Sequence, residues 1–351
     1  MHALVVSEPG SVGLAELPEP VPAADEVLIE PVLVGICGTD LDIVAGDIDP
    51  DFVRYPVTLG HEWVGRVVED GGRAPGARGA LPPLVAGTRV VVEGVVPCWH
   101  CAECVAGDTN RCATYDEIGF TRPGAAAERI AVPRRLVHAI ADSVPDESAV
   151  LVEPASVVFR ALARCRPRPG QRVLVIGDGT IGLLAARLVR LWSPASVTVI
   201  GRRAGQAALV ATAGAEAFIT DESALADGSG ADGRFDLVIE AAGAAESVSA
   251  AMRLVGRGGT VALLGYSGQE AQVPMPVDDL INGDITIVAS FSYTSGAWRH
   301  VVKLLNSDQL DLGFLITHRF PLADWRQAFD AIRSPAGPRA KVVLELKPSS
   351  A

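Results

Sequence analysis

No apolar run in this chain of 351 residues reaches the ~20 that a helix needs to cross a bilayer. The start, Met1-His2-Ala3-Leu4-Val5-Val6, passes straight into a strand pattern, without the charged, apolar and cleavage regions of a secretion signal. A cytoplasmic protein with no membrane partner is expected. Basic residues are in deficit: 30 Lys and Arg stand against 42 Asp and Glu, a net charge of −12. Nucleic-acid affinity rests largely on Lys and Arg, so nucleic acid is not an expected partner. There is no solenoid-length repeat, no collagen period and no long disordered tract. A spread disulfide framework is also missing, because four of the six cysteines fall between 98 and 112.

What remains is an ordinary globular composition, 49% apolar and 21% charged, on a chain long enough for two domains. Up to about residue 150, short β runs such as Val27–Val32, Gly65–Glu69 and Arg89–Glu93 are separated by turn chemistry, notably Asp70-Gly71-Gly72 and Leu81-Pro82-Pro83. Strands without long helices between them imply an antiparallel or barrel-like unit. After Pro169-Gly170 the pattern alternates: strand Arg172–Ile176, helix Ile181–Trp192, strand Ser196–Ile200, helix Gln206–Ala213, then strands at Ala217–Ile219, Phe235–Glu240 and Gly259–Leu264. That is the mark of an α/β, doubly wound parallel sheet. An amphipathic helix (Trp298–Leu305) and strands Ile316–Phe320 and Lys341–Leu346 are expected to return to the first domain. The expected division is therefore 1–155 with 298–351, and 156–297 inserted, the active site lying in the cleft.

Gly177-Asp178-Gly179-Thr180-Ile181-Gly182 is GxGxxG between a β run and a helix. The first glycine makes the turn, the second admits a pyrophosphate, and the third lets helix and strand pack, while the helix N-terminus at Thr180 and Ile181 offers N–H groups to the anion. A flexible glycine turn is the plain alternative. Where an NAD site usually has an acid, this chain has Gly201, 24 residues beyond Gly177, followed by Arg202 and Arg203. Without that acid, and with two arginines able to pair with phosphate, NADP(H) is expected over NAD(H), unless the arginines only decorate a solvated turn.

Cys98, Cys101, Cys104 and Cys112 form C-x2-C-x2-C-x7-C. Four thiolates this close suit a closed, structural Zn²⁺, against an iron–sulfur cluster or unmetallated thiols. A second set is dispersed: Cys37, the pair His61-Glu62, and Glu153. Singly each has a bland reading as a core thiol or a satisfied polar corner. Together they offer one sulfur, one nitrogen and two oxygens, which suits a zinc that keeps a replaceable position.

Cys37-Gly38-Thr39-Asp40, Gly60-His61-Glu62-x-x-Gly65, the four-cysteine lobe, Glu153-Pro154 and GxGxxG occur in this order over essentially the whole chain. The segments Tyr115–Phe120 and Lys341-Val342-Val343-Leu344 add to the pattern. The chain thereby resembles the zinc-containing medium-chain dehydrogenases, most nearly the polyol and threonine dehydrogenase branch. The resemblance implies a GroES-like β-rich catalytic domain plus a Rossmann domain, two zinc ions, and hydride transfer between a secondary alcohol, or the matching ketone, and the nicotinamide. It implies that Cys37, His61 and Glu62 or Glu153 bind the catalytic zinc, that Thr39 starts a proton relay, and that Asp40 orients His61. Many members carry His where this chain has Asp42, so the relay passes through Asp42 or water. The strand Ile285–Ser290 resembles the edge through which this family dimerises, implying a homodimer or homotetramer.

Phe52, Tyr55, Trp63, Phe120, Phe291 and Tyr293, with Asp49, Asp51, Arg54 and Arg122, are candidates to line a substrate pocket, or else core aromatics and solvated charges. Polyols, sugar alcohols, aminocyclitols and simple secondary alcohols all remain open. Rival readings are a zinc-free quinone or enoyl reductase on the same fold, an NADP(H)-binding redox sensor with structural metal only, and, last, a zinc finger. Cys165 is expected to be a core thiol.

Overall fold

A computed structural model describes residues 1–71, 84–221, 234–268, 271–275, 277–334 and 337–346. Of the turn signals named above, Gly72 and Leu81-Pro82-Pro83 lie outside the described residues. The chain divides into two compact units: Met1–Glu153 with Thr294–Ser334 and Lys341–Ala351, and Pro154–Tyr293 with Pro335–Ala340.

The first unit opens with strands β1 (His2–Glu8), β2 (Ser11–Glu16), β3 (Glu26–Ile36), β4 (Val57–Thr58), β5 (Glu62–Asp70), β6 (Arg89–Val92), β7 (Val95–Val96), β8 (Asp116–Glu117), β9 (Ile130–Pro133) and β10 (Val137–Ala139). Its short helices are α1 (Gly38–Ala45), α2 (Ala102–Ala106) and α3 (Asp146–Ala149). The second unit carries β11 (Arg172–Ile176), β12 (Ser196–Ile200), β13 (Ala217–Ile219), β14 (Phe235–Glu240), β15 (Val255–Leu263) and β16 (Thr286–Ala289). With them run α4 (Val152–Cys165), α5 (Thr180–Val189), α6 (Ala207–Thr212), α7 (Ala245–Leu254) and α8 (Val277–Gly283). The chain then adds α9 (Ser295–Asn306), β17 (Ile316–Pro321), α10 (Trp325–Arg333) and β18 (Lys341–Glu345) to the first unit.

In the first unit the main sheet runs β10-β6-β5-β3-β18-β17, with β9 also on β3. β3 and β5, buried over most of their length, place Ile29, Val34, Trp63 and Val67 in one core with Ile118, Ile130 and Phe329. Pro31 has no N–H to give the ladder, and the β3–β5 register shifts between Pro31 and Leu33. Beyond that bulge Gly35 pairs with Glu62 on β5 and with Val343 on β18. One register therefore brings the ends of three strands, distant in sequence, to one point. Helix α9 starts at Ser295, earlier than its apolar stripe suggests, because Thr294 Oγ1 accepts from Ala297 N at 3.2 Å and caps it.

In the second unit every strand pair is parallel and the order is β13-β12-β11-β14-β15-β16. Residues 173–176 of β11 are all buried, as befits a central strand covered on both faces. The order reverses between β11 and β14, and ligands of such sheets bind outside the carboxyl ends of strands at that point. The segment Pro335–Ala340, which the sequence assigns to the first domain, clusters with this unit instead. It is tied there by hydrogen bonds from Thr180, Arg203 and Gln206.

Candidate active site and cofactor loop

Cys37 follows β3 directly and is the N-cap residue of α1. Its backbone N–H donates to Asp40 Oδ2 at 2.8 Å, and its Sγ lies 3.6 Å from Thr39 Oγ1. The other oxygen of buried Asp40 faces His61 Nδ1 at 3.5 Å, just beyond hydrogen-bond reach, which leaves both atoms unpartnered. Asp40 thus serves the helix start and the histidine together. His61 leans on Phe120, ring centroids 5.1 Å apart, and follows Gly60, whose φ of +99° and tight surroundings admit no side chain. Burial works against charge on His61, but Asp40 outweighs it and holds its pKa well above the ordinary value.

Glu62 lies across Gly35: a Cβ on that glycine would fall 2.4 Å from Glu62 Oε2. Ligand atoms of Cys37, His61 and Glu62 all lie within 4.8 Å of one another. Glu153, the other glutamate implied as a ligand, stands outside this group and is half-buried. Burial foremost, then the charge of Glu62, pushes its pKa up to about 8. The donor set is sulfur, nitrogen and oxygen, with His61 turned so that Nε2 is the nitrogen left for a metal. That set fits zinc with an open position.

Sequence reasoning missed the lysine here. Lys341, at the head of β18, ion-pairs with Glu62 Oε2 and donates to Ile36 O at 3.4 Å, with both side chains buried. Burial opposes its charge, but Glu62 holds its pKa up. A single cation placed directly before the apolar run Val342-Val343-Leu344 was the signal available. Glu117 was also passed over. It is half-buried, and burial pushes its pKa up to about 7 against the opposing charge of His61.

The pocket candidates divide. Trp63 and Tyr293 are fully buried core residues, while Phe52 and Phe291 are exposed and Phe120 packs on His61. Tyr55 donates to Ile43 O at 2.6 Å. Asp49 accepts from the backbone of Asp51, and Arg54 and Arg122 both pair with Asp116. Asp42 is exposed on α1, and Cys165 is half-buried, its thiol pushed up to about 11 by burial.

The four sulfurs of Cys98, Cys101, Cys104 and Cys112 also lie within 4.8 Å of one another. Cys98 and Cys104 are 3.9 Å apart, close to the ~3.8 Å edge of a tetrahedron with ~2.3 Å zinc–sulfur bonds. Backbone N–H groups of His100 and Cys101 draw Cys98 down to about 6, while burial pushes Cys104 up to about 12. A thiol so placed ionises readily only beside a cation, which fits a closed zinc site.

At the glycine loop, Gly177 has φ +125°, nothing stands within 4 Å of a Cβ on Gly179, and a Cβ on Gly182 would strike Gly177 O. The loop fits a pyrophosphate passing over Gly179 to the start of α5. At the end of β12 the room beside Gly201 is taken by Asp178, whose carboxylate would lie 2.5 Å from a Cβ there. The acid lacking at position 201 is thus supplied by the loop. It accepts from the backbone of Arg202 and Arg203 and from the Arg203 guanidinium, Nη2 at 2.8 Å. Arg203 is committed to Asp178, whereas Arg202 is exposed.

Two family models match, the alcohol dehydrogenase GroES-like domain over residues 23–142 and the glucose dehydrogenase C-terminus over 146–346. The chain is 31% identical to a sorbitol dehydrogenase of Halalkalibacterium halodurans, covering 98% of this chain and 99% of that protein. It is 32% identical to an L-threonine 3-dehydrogenase of Streptomyces coelicolor, with 98% and 99% covered. A Sinorhizobium meliloti protein described as a zinc-binding dehydrogenase, solved with NADP, superposes with TM-score 0.88 at 30% identity over 98% of both chains.

Proposed function

The chain belongs to the zinc-type medium-chain alcohol dehydrogenase family, and from that premise we propose that it transfers hydride between a secondary alcohol of polyol type, or the matching ketone, and NADP(H). The observation that carries this is the convergence of Cys37, His61 and Glu62, with Asp40 behind the histidine and Thr39 beside the thiol. A zinc-free reductase has no use for such a donor set. When bound, zinc supplies Lewis acidity to an alcohol hydroxyl and the nicotinamide takes the hydride. Thr39 is the side chain placed to receive the hydroxyl proton. Asp40 keeps a proton on His61 Nδ1 and so fixes the ring. Lys341 holds Glu62 within reach of the site without leaving it an isolated buried charge. Backbone N–H groups at Thr180 and Ile181 hold the pyrophosphate. The carboxyls of Glu117 and Glu153 supply hydrogen-bonding partners that a hydroxyl-rich substrate can use. Cys98, Cys101, Cys104 and Cys112 would hold a second zinc, which would tie that loop down.

Among the described residues no helix is long and apolar enough to cross a membrane. β16 is one of the two edge strands of its sheet, and Val277 and Ile281 of α8 are exposed. A second copy is the partner we propose for them, and light scattering that finds only monomer removes that part of the reading.

The experiment is a panel of secondary alcohols, polyols and aminocyclitols with NADP⁺ and NAD⁺ on zinc-replete protein, repeated with Cys37→Ser. Turnover that prefers NADP⁺ and is lost in Cys37→Ser, while NADPH still binds, is the expected result. Undiminished turnover in a Cys37→Ser protein of verified metal content refutes the site.

A further inference from the structure

Asp178 is a carboxylate inside the glycine loop, and the turn after β12 closes around it. Its Oδ2 accepts from the backbone N–H of Arg202 at 3.2 Å and of Arg203 at 3.0 Å. Its Oδ1 accepts from Arg203 Nε at 3.2 Å and Nη2 at 2.8 Å. A carboxylate offers about four lone-pair sites, so these four N–H groups saturate it. The acid at the end of the second strand of an NAD site works by accepting ribose hydroxyls. Asp178 has no acceptor left for them.

Arg203 is as fully committed. Besides its bonds to the carboxylate, Nη2 donates to Asp178 O at 2.9 Å and Nη1 to Arg339 O at 3.3 Å. Its carbonyl accepts from Gln206 N at 2.9 Å, and the fully buried Gln206 amide donates to Asp178 O at 2.6 Å. A guanidinium that grips a phosphate uses the same fork of N–H groups that Arg203 closes on Asp178. The place of the pair matters. A Cβ on Gly201 would lie 2.5 Å from Asp178 Oδ2, so the carboxylate stands where the side chain of the usual acid would begin. A ribose that reaches the end of β12 meets this charge. Paired with Arg203 it is neutral overall; uncovered, it would repel a 2′-phosphate. The two side chains are only 11% and 19% exposed, so salt would screen that repulsion poorly.

We propose that the Asp178–Arg203 pair sets the cofactor specificity of the adenosine site. Arg203 does not bind the 2′-phosphate; it cancels the charge of Asp178, and Asp178 is closed to ribose hydroxyls. The phosphate is left to Arg202, which is exposed. The inference rests on the NADP(H) reading above and makes Arg203 a positioning residue instead of a phosphate ligand.

The test uses the full chain and reads binding apart from turnover: NADPH and NADH by fluorescence titration, with adenosine 2′,5′-bisphosphate and 5′-AMP as competitors that isolate the adenosine site. Wild type is expected to hold the 2′-phosphorylated member of each pair more tightly. Arg203→Gln uncovers the carboxylate and should weaken NADPH and the bisphosphate about tenfold or more, with NADH and 5′-AMP within about threefold. Adding Asp178→Asn removes the charge yet keeps an acceptor for the backbone N–H groups of 202 and 203. The double variant should return to within about threefold of wild type for all four ligands. A double variant that stays about tenfold weak for NADPH marks Arg203 as a phosphate ligand, and the inference fails. It fails also if Arg203→Gln weakens both members of each pair equally, which marks a structural role, or if it selects the phosphate as wild type does. A wild type that does not distinguish the pairs overturns the NADP(H) reading, and the inference with it.

Discussion

Replacing Lys341 with Met should destabilise the zinc-free protein far more than the zinc-loaded one. Glu62 and Lys341 are 1% and 3% exposed, so neither charge has water to fall back on. Removing one partner of a buried ion pair strands the other at a cost of about 3–5 kcal/mol. Methionine replaces most of the lysine stem, so little of that loss is packing. Zinc at Cys37, His61 and Glu62 would supply the missing positive charge, and the deficit should shrink to roughly 1–2 kcal/mol, an ordinary value for a buried substitution. Linkage gives the companion result: because lysine competes with the metal for Glu62, the variant should bind catalytic zinc more tightly than wild type. The double variant Glu62→Gln/Lys341→Met, with neither charge of the pair left, should return to within about 2 kcal/mol of wild type. Urea unfolding with and without a chelator reads the stabilities, and competition with a chromogenic chelator reads the affinity. Equal deficits with and without zinc, or a double variant as unstable as Lys341→Met, would refute the reasoning.

Two further outcomes follow from the titrating groups. In chelator-treated protein at pH 7, iodoacetamide should label Cys98 first, since a thiol near 6 is mostly thiolate, and Cys104 and Cys165 last, near 12 and 11. Mass spectrometry resolves the order, and early labelling of Cys165 contradicts it. Glu147 is held below its ordinary 4.5 chiefly by the hydrogen bond from Arg319. A depressed carboxyl contributes stability above its unfolded value and loses it as pH falls through the folded one. Glu147→Gln should therefore cost stability at pH 7 and little at pH 3; because Arg319 is 42% exposed, the effect is small. A deficit that grows on acidification contradicts this assignment.

Much of the site was readable because its parts are local. C-x2-C-x2-C-x7-C closes on itself within one loop, and GxGxxG carries its own turn, approach and packing requirements. Periodicity placed β3, β5, β11 and α9, since burial on one face or both leaves its mark on every residue of an element. Trp63 and Tyr293 show the limit of that signal: an aromatic reads alike whether it lines a pocket or fills a core, and burial alone separates the two.

Composition, motif order and spacing by themselves pointed to the family, to the change from short strands to alternating strand and helix, to the candidate metal-binding residue types and to the missing acid at Gly201. Tertiary structure decided which residues meet. Glu62 rather than Glu153 joins Cys37 and His61 because Gly35, its partner across β3 and β5, leaves space for a carboxylate. Lys341 meets Glu62 across 279 residues because β18 pairs with β3 in one register and not its neighbour. Asp178 fills the gap at Gly201, and segment 337–340 lies on the glycine loop, where buried Gln206 bonds to Asp178 O and to both backbone groups of Arg339. Each of these is a pairing between distant positions, fixed by strand register and by the need of buried polar groups for partners, and neither quantity is written in any single stretch of sequence.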